Sequence, residues 1–192
     1  MKLNANPTAA AVSQFIMRTA FPLGIYFIAE YLVSVAAMGN LSLMAVRLLM
    51  AVATPVALFF LMRMLRDRVL DGYIRGRQVW LYGVHTMIFA ALVEAAFVYI
   101  YNEFLDPGNL LRTQQAAIAQ FEASRASLEA MPGAGGAGAL LDTMNSMVEE
   151  LRNTRIPTAI EAAVSQLSND FLAGIVLMLA IAPAVRRRKT EA

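Results

Sequence analysis

RMLRDRVLDGYIRGRQVWLYGVHTMIFAALVEAAFVYIY, residues 63–101, decides how this chain is read. Its second part, residues 79–101, carries one carboxylate and one histidine in an otherwise mainly apolar run. About 20 such residues are what a helix needs to cross the ~30 Å hydrocarbon layer of a bilayer. Its first part sets Arg63, Arg66, Arg68, Arg75 and Arg77 against one end of that run. An apolar span with arginines on one flank is a membrane helix with a marked side.

Working outward, three more spans of the same kind appear, at about residues 18–38, 41–64 and 167–185. The first helix is expected to begin earlier, at Asn6-Pro7, because a proline in the first turn lacks the N–H that would have no acceptor there. The apolar core of the fourth is short, so its helix is expected to start near Pro157 and enter the bilayer at about residue 167. Hydrophobic residues make up 58% of the chain and mean hydropathy is +0.55, above what soluble domains carry. A secretory signal fits the N-terminus poorly, since Arg18 interrupts the early apolar run and no A-x-A-like site follows. The chain has no cysteine, which removes disulfides and thiolate metal cages.

The bases orient the spans. Lys2 and Arg18 precede or open the first, the arginine loop joins the second to the third, and Arg186, Arg187, Arg188 and Lys189 follow the fourth. The Gly39-Asn40 turn between spans one and two has no charge beside it. By the positive-inside rule the basic segments share the cytoplasmic side of a bacterial inner membrane. The expectation is one polytopic domain over residues 1–192, with both termini cytoplasmic. Its fold class is all-α: a four-helix transmembrane bundle with a helical extracytoplasmic insert, residues 102–166, between spans three and four.

That insert holds eight acids (Glu103, Asp106, Glu122, Glu129, Asp142, Glu149, Glu150, Glu161) against Arg112, Arg125, Arg152 and Arg155. A net negative segment suits the side that bases avoid. Asp106-Pro107 reads as a helix start, and Leu111, Ile118, Phe121, Leu128 and Met131 then recur at helical spacing. PGAGGAG, residues 132–138, breaks that helix. A second helix over about residues 139–153 puts Leu140, Leu141, Met144, Met147, Val148 and Leu151 on one side. Two readings stay open: the helices pack on each other and on the base of span four, or residues 107–155 dock an envelope partner or a second copy. An isolated core is excluded by size.

Ionisable groups at membrane depth are costly, which makes each a candidate site. Glu30, Arg47 and Glu94 all fall ~9–12 Å below the insert-side surface at 1.5 Å per residue, and Asp170 on span four enters near the same level. Paired burial would make the layer a structural lock. However, one arginine cannot neutralise three acids, so a polar cavity for a cation or a proton is the functional alternative. Snorkelling toward the headgroups is a third reading. His85, the single histidine, lies ~13 Å along the helix from Glu94 on the opposite face, so the two share no metal. It shares a face with Gln78 and Tyr82. Pro22, Pro55 and Pro183 permit kinks, Ala91/Ala95 and Ala53/Ala57 permit close helix approach, and Trp80, Tyr82, Tyr99 and Tyr101 mark the two ends of span three.

No G-x-S-x-G, H-E-x-x-H, Walker A or G-x-G-x-x-G is present, so no enzyme, no metal and no cofactor is expected. Beside a bilayer the arginine loop contacts lipid first, and nucleic acid is not an expected partner. RDRVLDGYIRGRQVWLYG (residues 66–83) and FVYIYNEFLDPGNL (residues 97–110) resemble a bacterial family known only as domain-of-unknown-function family 4199. The resemblance implies four spans with an insert before the last, and it implies no activity. The expected function is a non-enzymatic envelope component acting by helix packing and by partner or self-association. The alternative is a small ion- or proton-coupled transporter using the Glu/Arg layer.

Overall fold

The computed structural model describes residues 9–38, 40–130 and 138–186. The Asn6-Pro7 start, Lys2, Gly39, Met131, all of the glycine-rich break except Gly138, and Arg187, Arg188 and Lys189 lie outside the described residues. Six α-helices follow in order: α1 Ala9–Ala36, α2 Leu41–Arg68, α3 Gly76–Ile100, α4 Asn109–Glu129, α5 Gly138–Asn153 and α6 Ala159–Val185. Among the described residues there is no strand, so the chain is all-α. Four helices, α1, α2, α3 (with the turn that follows it) and α6, are long and apolar enough to cross a membrane. This is the architecture of a multi-pass membrane protein with a helical insert between its third and fourth spans.

α3 is the central helix, packed chiefly on α6 and α1, with α2 set more lightly against α1 and α6. Half of α3's apolar window is buried inside the bundle, against 11% of α2's. Leu58, Met62 and Leu65 of α2 nevertheless point inward, to meet Val79 and Met87 of α3 and Met178 and Val185 of α6. The opposite face of α2 bears Leu48, Leu49, Val52 and Phe60, all more than half exposed. In lipid, apolar surface gains nothing by leaving solvent, so such helices associate by close packing of small residues. Glycines supply it here. A Cβ on Gly24 would lie 2.7 Å from Val93 Cβ across the α1–α3 contact, and one on Gly174 would lie 2.9 Å from Met87 Cβ across α3–α6. Ala91 and Ala95 are buried at the centre, whereas Ala53 is exposed and serves no close approach.

The arginine-bearing ends meet at one end of the bundle. Arg66 donates to the Val185 carbonyl at 3.0 Å, which closes the last turn of α6 with a cation where the helix dipole is negative. Arg75 is the N-cap residue of α3, and its N–H is satisfied by the Gln78 side chain at 3.1 Å.

The other end departs from the sequence expectation at the start of α4 and meets it, near Pro157, at the start of α6. Asp106 does not cap α4. Span three runs on past Ile100 as a π-helical turn, Tyr101–Leu105, closed by the Asp106 N–H on the Tyr101 carbonyl at 2.7 Å. That wider turn carries Asp106 back over Tyr101 and Arg112, to which its carboxylate bonds, and the cap position falls to Gly108. For α6, Thr158 rather than Pro157 sets the start. Its hydroxyl accepts from the Glu161 N–H at 3.4 Å, and Glu161 accepts from the Thr158 N–H at 2.8 Å, a reciprocal capping box. In the insert, α4 and α5 form a hairpin tied by Gln114, which donates to the Leu151 and Thr154 carbonyls, and by Arg152 on Glu122. Leu141, Met144, Val148 and Leu151 are half-buried, while Leu140 and Met147 stay exposed.

Candidate functional site

Four helices each contribute one face to a cavity of about 290 Å³. α1 supplies Phe27, Glu30, Tyr31 and Ser34; α2 supplies Arg47, Ala51, Thr54 and Pro55; α3 supplies Met87 and Glu94; α6 supplies Gln166, Asp170, Ala173 and Leu177. The spacings are those of helix faces, three, four or seven residues apart, so one stripe per helix is enough to build the site. Glu30, Arg47, Glu94 and Asp170, placed in one layer by sequence, therefore line one cavity.

They are not equivalent there. Glu94 is 3% exposed, Glu30 and Asp170 are half-buried, and Arg47 is exposed. The Glu94 and Asp170 carboxyl groups meet at one side chain, which joins α3 to α6. The Gln166 amide ties them together, donating to Glu94 Oε1 at 3.1 Å and to both Asp170 oxygens at 3.3 Å. Arg47 makes no ion pair within 4 Å among the described residues. Glu94 and Asp170 are thus tied by an amide rather than by the arginine.

Gln166 is the functional residue that sequence reasoning missed. An uncharged glutamine signals no membrane cost, although its i,i+4 spacing to Asp170 places it on the same face of α6. A second group was missed for the same reason. Tyr31, Asn102 and Asn109 form a buried polar network: Asn102 Nδ2 donates to Tyr31 Oη at 2.8 Å, and Asn109 Nδ2 donates to Asn102 Oδ1 at 2.9 Å and to Tyr31 Oη at 3.2 Å. The π-helical turn positions Asn102 for this. Asn109 is 1% exposed, and its Oδ1 has no partner among the described residues.

Asn109 also lines a second cavity of about 310 Å³, toward the insert, with Thr113, Glu161 and Ser165. Tyr31, Ser34 and Gln166 belong to the walls of both cavities. Polar side chains therefore lead from the insert side to the acid pair. The oxygen-rich lining suits a proton or a hard cation over a soft metal. Among the described residues no three acids or histidines converge closely enough to hold a metal ion.

The remaining candidates lie elsewhere. His85 is exposed on α3, its Nδ1 2.7 Å from the Leu81 carbonyl, outside the cavity. At the arginine end, Arg63 reaches Asp67 at 3.6 Å, Arg66 bonds Asp67 and the end of α6, Arg68 and Arg75 are exposed, and Arg77 and Arg186 line a separate pocket. Tyr26 Oη donates to the Met50 carbonyl at 2.5 Å and joins α1 to α2 one turn from Pro55, whose missing N–H frees the Ala51 carbonyl.

Compared with known proteins, residues 16–187 match the model of a family described as a protein of unknown function, DUF4199. Neither a curated protein nor a solved structure matches the chain.

Proposed function

The chain belongs to the DUF4199 family of proteins of unknown function, and we propose that it is a non-enzymatic membrane component whose bundle takes up and releases protons at Glu94 and Asp170. One observation carries this reading: two carboxyl groups meet at a single glutamine, and among the described residues the neighbouring Arg47 makes no ion pair. Two carboxyls gathered on one amide at membrane depth are an arrangement suited to carrying a proton. Gln166 orients them, and the cavity wall of Ser34, Thr54 and Tyr31 offers hydroxyls along which a proton could pass. The positive-inside rule supports a cytoplasmic arginine end in a bacterial inner membrane. Protons would then be taken up from the insert side, where the second cavity lies, and released toward the arginine end.

The test is reconstitution with a pH-sensitive dye inside the vesicles and an external acid step. The parent protein is expected to relax the gradient, with Glu94→Gln and Asp170→Asn both losing that relaxation. If both variants relax it as fast as the parent, the reading is wrong.

A second reading, association through residues 107–155 with an envelope partner or a second copy, is supported by Leu140 and Met147, left 53% and 45% exposed on an amphipathic α5 with no buried residue. Crosslinking from Met147→Cys in native membranes checks it. A discrete crosslinked species favours association, and none counts against it.

A further inference from the structure

At the arginine end, outside the acid-lined cavity, a pocket of about 310 Å³ opens between the first turn of α3 and the last turn of α6. Gly76, Arg77 and Trp80 form one wall; Leu179, Ala182, Pro183 and Arg186 form the other. Its two ends differ in chemistry. The head is flanked by two exposed arginines, Arg77 and Arg186, and neither makes an ion pair among the described residues. Arg186 runs across the start of α3, its Cδ 3.8 Å from where a Cβ on Gly76 would sit. The start of α3, where the Gln78 and Val79 amides already bond the Arg75 carbonyl, adds a positive dipole end to the same spot. Below the head the wall is apolar, and Leu179 is 61% exposed along it. Trp80 stands one turn in from the helix start, and its buried indole N–H has no acceptor among the described residues.

Two arginines without ion pairs beside a helix start suit a phosphate, which arginine binds in a planar, bidentate way. A soluble phosphate would leave the apolar wall bare. We propose that this pocket binds the phosphodiester headgroup of an anionic membrane lipid, with an acyl chain lying along Leu179 and Ala182. Basic pockets between membrane helices at the cytoplasmic face recognise lipid headgroups in this manner. The site depends on neither the proton reading nor the acid pair. Its role would be to pin the start of α3 to the end of α6.

Thermal unfolding of the full chain in detergent tests it, with phosphatidylglycerol, phosphatidylcholine or glycerol phosphate added. Binding to the folded state raises Tm. Phosphatidylglycerol is expected to raise Tm while phosphatidylcholine and glycerol phosphate leave it unchanged, and Arg77→Gln/Arg186→Gln is expected to lose that rise. Both arginines are exposed, so this variant keeps the core intact. Arg63→Gln/Arg68→Gln, which removes equal charge away from the pocket, should keep the rise. An equal loss in both double variants would show diffuse surface attraction and overturn the site. A rise with glycerol phosphate matching that with the lipid would assign a free phosphate and overturn the lipid. No rise in the parent chain would also overturn it.

Discussion

Arg47 stands in the cavity wall, exposed and without an ion-pair partner within 4 Å among the described residues. An exposed, loosely associated cation contributes little, whereas breaking a buried pair costs about 3–5 kcal/mol. Arg47→Gln is therefore expected to lower stability by less than about 1 kcal/mol, read as a small Tm shift in detergent; a large loss would restore the structural lock. Asn109 predicts the opposite. Its side chain is almost fully buried and bonds both Asn102 and Tyr31. Asn109→Ala leaves the Asn102 Oδ1 without its donor, and a buried acceptor stranded in this way costs about 1–3 kcal/mol. Replacing both asparagines with leucine removes donor and acceptor together, so the double variant should lose less than the sum of the two single ones. Additive losses in a melting series would show that the network is not a unit.

Among the elements, the α1–α3 contact leaves no room for an added methyl. A methyl on Gly24 meets Val93 Cβ at 2.7 Å and the Ala90 carbonyl at 3.0 Å, one β-branched and the other backbone, so neither can swing away. Overpacking of that kind costs about 1–3 kcal/mol, and Gly24→Ala should lower Tm accordingly. Gly138 at the start of α5 gives the contrast. A Cβ there meets nothing within 4 Å, so Gly138→Ala should be neutral or stabilising by up to about 1 kcal/mol through helix propensity. Equal effects at the two glycines would mean that α1 and α3 are not in close contact. The π-helical turn at the end of α3 also belongs to this scale. By inserting a residue's worth of rotation it places Asn102 toward Tyr31 and removes Asp106 from the cap of α4.

Over the whole molecule, stability is distributed unevenly. α3 is enclosed by α1 and α6, while α5 has no buried residue and leans on α4. Hydrogen exchange should follow that gradient, with α5 amides exchanging at low opening free energy and α3 amides only near global unfolding. Protection in α5 matching that in α3, measured by mass spectrometry in detergent or nanodiscs, would mean that another surface covers it. The cavities follow the same division. The acid pair bridges the two best-packed helices, and the second cavity lies where the insert meets them.

Much of this was legible in the residues themselves. Span length, apolar composition and the one-sided arginines determined four membrane-crossing helices and the insert between the last two, because bilayer thickness and backbone hydrogen bonding admit few other solutions. Depth alone placed Glu30, Arg47, Glu94 and Asp170 in one layer, since rise per residue is fixed in a helix. Only the tertiary structure decided which of them touch. Helix rotation and the pairing of α3 with α6 put Asp170 on Glu94 instead of on Arg47, and no one-dimensional pattern encodes the angle at which two helices face each other. Gln166, Asn102 and Asn109 stayed hidden for the same reason: an uncharged amide gains its importance from the neighbours that packing brings to it.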